Sequence, residues 1–218
     1  MKTTCSNQRN HALTLLEAVV VMFCLFIMVA MLLPALGAAA SKRSKIGCTK
    51  QLKELGLGFR VWEGDNHDKY PMSVSATNGG AMELAARGNA EAIFQAMSNT
   101  LGNPKILVCP ADKSRWPAPS FSFPLTSKNI SYFINVNASE ANPQDFLCGD
   151  DNFEIHGVRV KSGLLEISST NPIAWSPDRH KFSGNVALAD GSVSGISNLG
   201  LKDWLRSTNF PAQRLAIP

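Results

Sequence analysis

Residues 18–40 are 23 consecutive side chains without a formal charge, mostly Val, Met, Leu, Ile, Phe and Ala. Nothing else in the chain restricts its fold as much. Wound into an α-helix at 1.5 Å per residue, the run is roughly 30 Å long or slightly more, enough to cross a bilayer once. The 218-residue chain therefore reads as an anchor plus one globular head, with two small domains as the upper bound. A single carboxylate, Glu17, stands at the start of this apolar stretch.

Charge is segregated along the chain. Lys42, Arg43, Lys45, Lys50, Lys53 and Arg60 are opposed only by Glu54, so residues 42–60 carry +5. Residues 61–218 hold 13 basic and 15 acidic side chains, a net of −2. The sequence pI of about 8.9 thus belongs to the leader and neck, and a nucleic-acid partner for the head is not expected. Cations just beyond a span suit the phosphate headgroups of a lipid bilayer.

Three kinds of N-terminal segment present an apolar run. A cleaved secretory signal has an apolar core of about 7–15 residues and then a small-residue site. Ala38, Ala39 and Ala40 before Ser41 imitate such a site, but the run is long and Glu17 lies inside its first turn. An uncut anchor explains the length and leaves Glu17 unexplained. A carboxylate in hydrocarbon costs up to about 2.5–3.5 kcal/mol at the helix centre and less near an end, so it is kept where a partner cancels its charge.

The third kind accounts for the acid. Residues 1–12 form a short polar leader with Lys2 and Arg9, followed by "LTLLE" at 13–17. This resembles the prepilin processing motif of type IV pilins and type II secretion pseudopilins. The resemblance implies that a prepilin peptidase cuts between Ala12 and Leu13, leaving 206 residues, and that Leu13 is then N-methylated. It also implies that Glu17, fifth in the mature chain, meets a neighbour's N-terminal cation and sets subunit register. Pro34 sits late in the span, where helices of that family carry a kinking proline. Ala12 stands where the family has Gly, and Leu13 where it has Phe, which implies slower processing rather than none.

The helix is expected to continue beyond the span, nearly unbroken to about Trp62. Cys48, Leu52, Leu55, Phe59 and Trp62 recur at helical spacing and form one apolar stripe. Gly56 and Gly58 soften it, at about 1 kcal/mol each. "GDNHDKYP" ends it. In the head, residues 90–101 read as a short helix capped by Asn89. "KILVC" (105–109) and "SYFINVNA" (131–138) read as strands, and "HGVRV" and "GLLEIS" flank a turn at 161–163. "NVALADGSVSGI" reads as a hairpin with strands 185–189 and 192–196, Val186 and Leu188 sharing a face and Gly191 supplying the positive φ of the turn. A terminal helix and a last strand, "RLAIP", close the chain.

At this hairpin a second resemblance enters. His180, nine residues, then Asp190-Gly191 reproduces the H-X9-DG signature of a large group of prepilin-like proteins found mainly in planctomycetes and verrucomicrobia. "LKELGLGFRVWEGDNHDKYP", "KILVCPADK", "NISYFINVNASEANPQ" and "CGDDNF" are similar to that group in the same order. Together the resemblances imply an α+β fold, a long N-terminal helix packed on an antiparallel β-sheet head. The division is leader 1–12, transmembrane helix 13–40, amphipathic continuation and basic neck 41–64, and periplasmic head 65–218. They imply a pseudopilin-like structural subunit, single-pass in the inner membrane, whose partners are other pilin-like subunits and the prepilin peptidase. The alternative is an anchored periplasmic binding module of the same topology that does not polymerise.

Enzyme chemistry is not expected: Cys-x-x-Cys, His-Glu-x-x-His, G-x-S-x-G and phosphate-binding glycine loops are all missing from the sequence. His180 and Asp190 are expected to make structural contacts rather than bind metal, which would require them to converge with Cys148, Asp150, Asp151 or His156. No cofactor is expected. The acidic loop of Asp145, Asp150, Asp151 and Asn152 clusters hard oxygen ligands and is a candidate for calcium, an ion that some secretion pseudopilins bind. Of five cysteines, Cys5 lies in the leader and Cys24 in the span. Cys48, Cys109 and Cys148 allow one bridge in an oxidising compartment, and Cys48–Cys109, tying helix to sheet, is the favoured pair.

Overall fold

The computed structural model describes residues 15–168, 172–207 and 212–218; the side chains of 34–41 and 207 lie outside that description. The expected cut between Ala12 and Leu13 is outside the described residues, as is the Pro34 side chain. One helix, α1 (Leu15–Gly64), runs through 50 residues without interruption. The chain divides into two units, residues 1–42 and 43–218. In the first, Leu15–Leu33 is long and apolar enough to span a membrane, and none of it is buried.

The second unit is α+β. After α1 come short helices α2 (Met82–Ala85), α3 (Ala90–Ala96) and α4 (Ser98–Leu101). Among the described residues, nine strands and one α-helix follow: β1 (Tyr132–Asn135), β2 (Phe146–Asp150), β3 (Phe153–Ile155), β4 (Val158–Arg159), β5 (Gly163–Ile167), β6 (Ile173–Trp175), β7 (Ser183–Leu188), β8 (Val193–Ser197), α5 (Asn198–Ser207) and β9 (Gln213–Ile217). Six of the strands form a sheet in the order β5-β9-β1-β2-β7-β8, and the other three form β4-β3-β6. All the pairings are antiparallel.

Alternation along the strands divides the core. Tyr132, Ile134, Ala187 and Ala216 join the α1 stripe of Cys48, Leu52, Leu55, Phe59 and Trp62 on one face. Phe133, Val186, Leu215 and Ile217 join Leu201 and Leu205 of α5 on the other. Leu147 and Cys148 both pack with the first group because the β2–β7 register shifts between Phe146 and Cys148. On the second face Trp204 stacks on Phe146 (3.6 Å between centroids) and Trp175 on Phe153 (4.3 Å). The stripe's four fully buried side chains contrast with Leu57 and Val61, half or more exposed on the same helix. Each large apolar side chain so buried contributes about 1.5–3 kcal/mol.

Several local expectations are met. Asn89 Oδ1 accepts from Ala92 N at 2.8 Å, capping α3. β7 and β8 pair through Val186↔Ser194, Gly191 adopts φ +84°, and Leu188 packs with the Val186 face. Others need correction. Residues 105–109 are not a strand: Pro104–Leu107 is a 3-10 turn, with Asn103 Oδ1 accepting from Lys105 N at 3.0 Å. Pro104 pre-sets the turn's φ and Asn103 caps it, and these outweigh the β preference of Ile and Val. The helix over 90–101 breaks at Met97 into α3 and α4. "HGVRV" and "GLLEIS" enter different sheets, β4 pairing with β3 and β5 with β9. Gly58 serves close packing, since a Cβ there would stand 2.6 Å from Leu101 Cδ2.

Candidate functional site

Four buried side chains from four segments meet under the sheet. Cys48 comes from the α1 stripe, and Cys109 follows the 3-10 turn. Asp150 ends β2, and His180 lies three residues before β7. Their ligand atoms all lie within 4.8 Å of one another. Cys48 Sγ donates to Asp150 Oδ1 at 3.4 Å, and Cys109 Sγ is 3.3 Å from His180 Nε2. His180 Nε2 in turn is 3.4 Å from Asp150 Oδ2. Cys48, Cys109 and Asp150 are 0% exposed, and the His180 side chain 3%.

Local structure explains the convergence. Helical spacing puts Cys48 on the buried side of α1, one turn before Leu52. The loop before β7 takes a left-handed backbone at Lys181 (φ 53°) and Phe182 (φ 60°), a conformation non-glycine residues hold only when surroundings over-determine it. There Ser183 Oγ donates to the His180 carbonyl at 2.5 Å.

A layer of donors surrounds the four. Asn185 gives Asp150 Oδ2 both its backbone N–H (2.7 Å) and its Nδ2 (2.9 Å), and Nδ2 is also 3.3 Å from Cys48 Sγ. Tyr132 Oη donates to Gln51 Oε1 at 2.8 Å and lies 3.6 Å from Cys48 Sγ. Beside this layer is a buried ionic network. Arg179 pairs with Asp151 and with Asp112 (3.0 Å) and donates to the Ser131 carbonyl (2.8 Å); Arg115 pairs with Asp151 at 2.6 Å.

Protons distribute unevenly over these groups. The hydrogen bond between the two sulfurs raises the Cys48 pKa, with burial adding to it, and lowers that of Cys109 to about 5, with His180 assisting. Burial pushes Asp150 up to about 6, with the Cys109 charge in support and His180 and Arg179 opposing. Burial pulls His180 down, but its hydrogen bond to Cys109 and the Asp150 charge outweigh that and raise it.

The signature residues separate. His180 does contact polar neighbours just before β7, as expected, yet its company is Cys109 and Asp150. Asp190 stays at the hairpin turn, its Oδ1 accepting from Ser192 N at 2.8 Å. Cys48 and Cys109, the expected bridge, are both free thiols. Cys148, fully buried, is raised by burial. The four calcium candidates do not gather. Asp145 precedes β2 and Asp150 ends it, about 16 Å apart at strand rise, Asp151 faces the two arginines, and Asn152 Nδ2 donates to the Ser176 carbonyl at 3.2 Å. His156 sits at the β3–β4 turn with φ 52°. Sequence reasoning missed Asn185, Tyr132 and Arg179; the proximity of Arg179 and Asn185 to His180 was the available signal. Comparison with protein-family models, with curated proteins and with solved structures finds no match.

Proposed function

We propose that this chain is a pilin-like structural subunit, anchored once in the inner membrane with its head in the periplasm and able to enter a short filament. The observation that carries the reading is α1 itself. Its first half, Leu15–Leu33, is apolar and unburied. Its second half buries Cys48, Leu52, Leu55, Phe59 and Trp62 in the core of an antiparallel head. One uninterrupted helix with these two surfaces is what a subunit needs if lipid holds it before assembly and packed neighbours hold it afterwards. Lys42, Arg43 and Lys45, just beyond the apolar run, would lie at headgroup level. The leader motif ending at Ala12, with Glu17 at the fifth mature position, supports the same assignment.

N-terminal sequencing of the membrane-bound protein, expressed with a prepilin peptidase, tests it. Leu13 is the expected first residue. Met1 indicates an uncut anchor and Ser41 an ordinary secreted protein, and either result defeats the proposal. Glu17→Leu is expected to leave insertion intact and to abolish filament assembly. A non-polymerising binding module would be indifferent to that change.

A further inference from the structure

We propose that Cys48, Cys109, Asp150 and His180 are the four ligands of a structural zinc ion that staples the C-terminal half of α1 to the sheet. The inference rests on the geometry of these side chains and stands whether or not the chain enters a filament.

Distances come first. With Zn–S near 2.3 Å, Zn–N near 2.0–2.1 Å and Zn–O near 2.0–2.2 Å, the edges of a ligand tetrahedron are about 3.4–3.8 Å. The spacings Cys109–His180 (3.3 Å), Cys48–Asp150 Oδ2 (3.5 Å) and His180–Asp150 Oδ2 (3.4 Å) match those edges to within about 0.3 Å. All four donors lie within 4.8 Å of one another, so shifts of less than about 1 Å close them on one ion.

The donor set selects the metal. Two sulfurs, an imidazole and a single carboxylate suit zinc, whereas calcium and magnesium require six or more oxygens. Four protein donors complete a tetrahedron, and the three ligands Cys48, Cys109 and Asp150 are 0% exposed. Such a closed site is structural, since a catalytic one keeps a position for water. On binding, the ion displaces to solvent whatever protons its ligands still hold, and the thiolates neutralise its charge.

The outer layer fits the same assignment. Asn185 engages Asp150 Oδ2 with two N–H groups, 2.7 and 2.9 Å, which fixes the orientation of the ligating carboxylate. Asn185 Nδ2 approaches the Cys48 sulfur at 3.3 Å, as a donor to a ligating thiolate does. Arg179 lies 3.9 Å from Asp150 Oδ1 and faces the negative charge left on the complex. The H-X9-DG signature then holds two unrelated devices, a metal-binding His180 and the Asp190-Gly191 turn.

Elemental analysis of the full chain, purified in detergent from zinc-supplemented cells without chelator, provides the test, with X-ray absorption at the zinc edge. One tightly held zinc per chain with two sulfur and two nitrogen or oxygen neighbours is expected. Cys48→Ser with Cys109→Ser, and separately His180→Ala, should lose it, and Asn185→Ala should weaken it about 10–100-fold. A metal-free wild-type chain carrying a Cys48–Cys109 disulfide, detected by mass and by resistance to thiol alkylation, overturns the proposal. So does zinc retained by the double cysteine variant. Should the variants not fold, the wild-type spectrum decides alone: a first shell without sulfur refutes it.

Discussion

Replacing Arg179 by Ala removes the cation that two buried carboxylates share. In the native head its guanidinium pairs with Asp151 and Asp112 and donates to the Ser131 carbonyl. The side chains of Arg179, Asp112 and Asp151 are 2%, 3% and 1% exposed. After the substitution Arg115 alone serves both acids, at 2.6 Å from Asp151 and 3.7 Å from Asp112. Water cannot easily replace the lost partner there. Breaking a buried ion pair from one side costs about 3–5 kcal/mol. For a unit of this size that corresponds to a melting temperature lower by roughly 6–20 °C. All four tryptophans, Trp62, Trp116, Trp175 and Trp204, lie in residues 43–218, so tryptophan fluorescence of the full chain in detergent follows the head alone. Arg179→Lys should recover little, because a point charge cannot reproduce a fork that reaches three acceptors. Adding Asp112→Asn to Arg179→Ala should restore about 1 kcal/mol or more, since it removes one stranded charge. If Arg179→Ala melts within about 1 kcal/mol of wild type, or the two substitutions simply add, the network does not hold the head together as argued.

Gly184→Ala would place a Cβ 2.5–2.6 Å from the Trp175 ring, which is stacked on Phe153 and has no room to retreat. A loss of about 1–3 kcal/mol in denaturant unfolding is expected, and an unchanged midpoint would contradict the packing. Burial raises the Asp112 carboxyl, but the Arg179 charge and the Ser114 and Ser131 hydrogen bonds outweigh it and hold its pKa below the usual carboxylate range. Its stabilising contribution is therefore complete above about pH 4 and lost as pH falls through the folded value. Melting curves of wild type should drop more steeply than those of Asp112→Asn as pH falls below about 4, and parallel curves would count against it.

Wherever the cause was local, the sequence was enough to find the element. Residues 18–40 marked an apolar helix of span length, because a run that long without charges can enter lipid only if its backbone groups pair within it. The spacing of Cys48, Leu52, Leu55, Phe59 and Trp62 marked the buried side of α1 because helical periodicity is a property of the backbone alone. Asp190-Gly191 marked a turn for the same kind of reason. Where local preferences compete, the reading failed: "KILVC" has β-forming side chains, but Pro104 and Asn103 settle its backbone as a turn. β2 carried no alternation because all five of its residues are buried, Asp150 among them, and a buried carboxylate is a state that only tertiary partners make tolerable. The four-residue cluster is the extreme case. Its members stand at positions 48, 109, 150 and 180, and no spacing rule links them. They meet because β1, β2 and β7 are neighbours in the sheet and the α1 stripe packs across that face. That long-range arrangement was decided by the whole core at once, and it turned a cysteine pair and a signature histidine into one site.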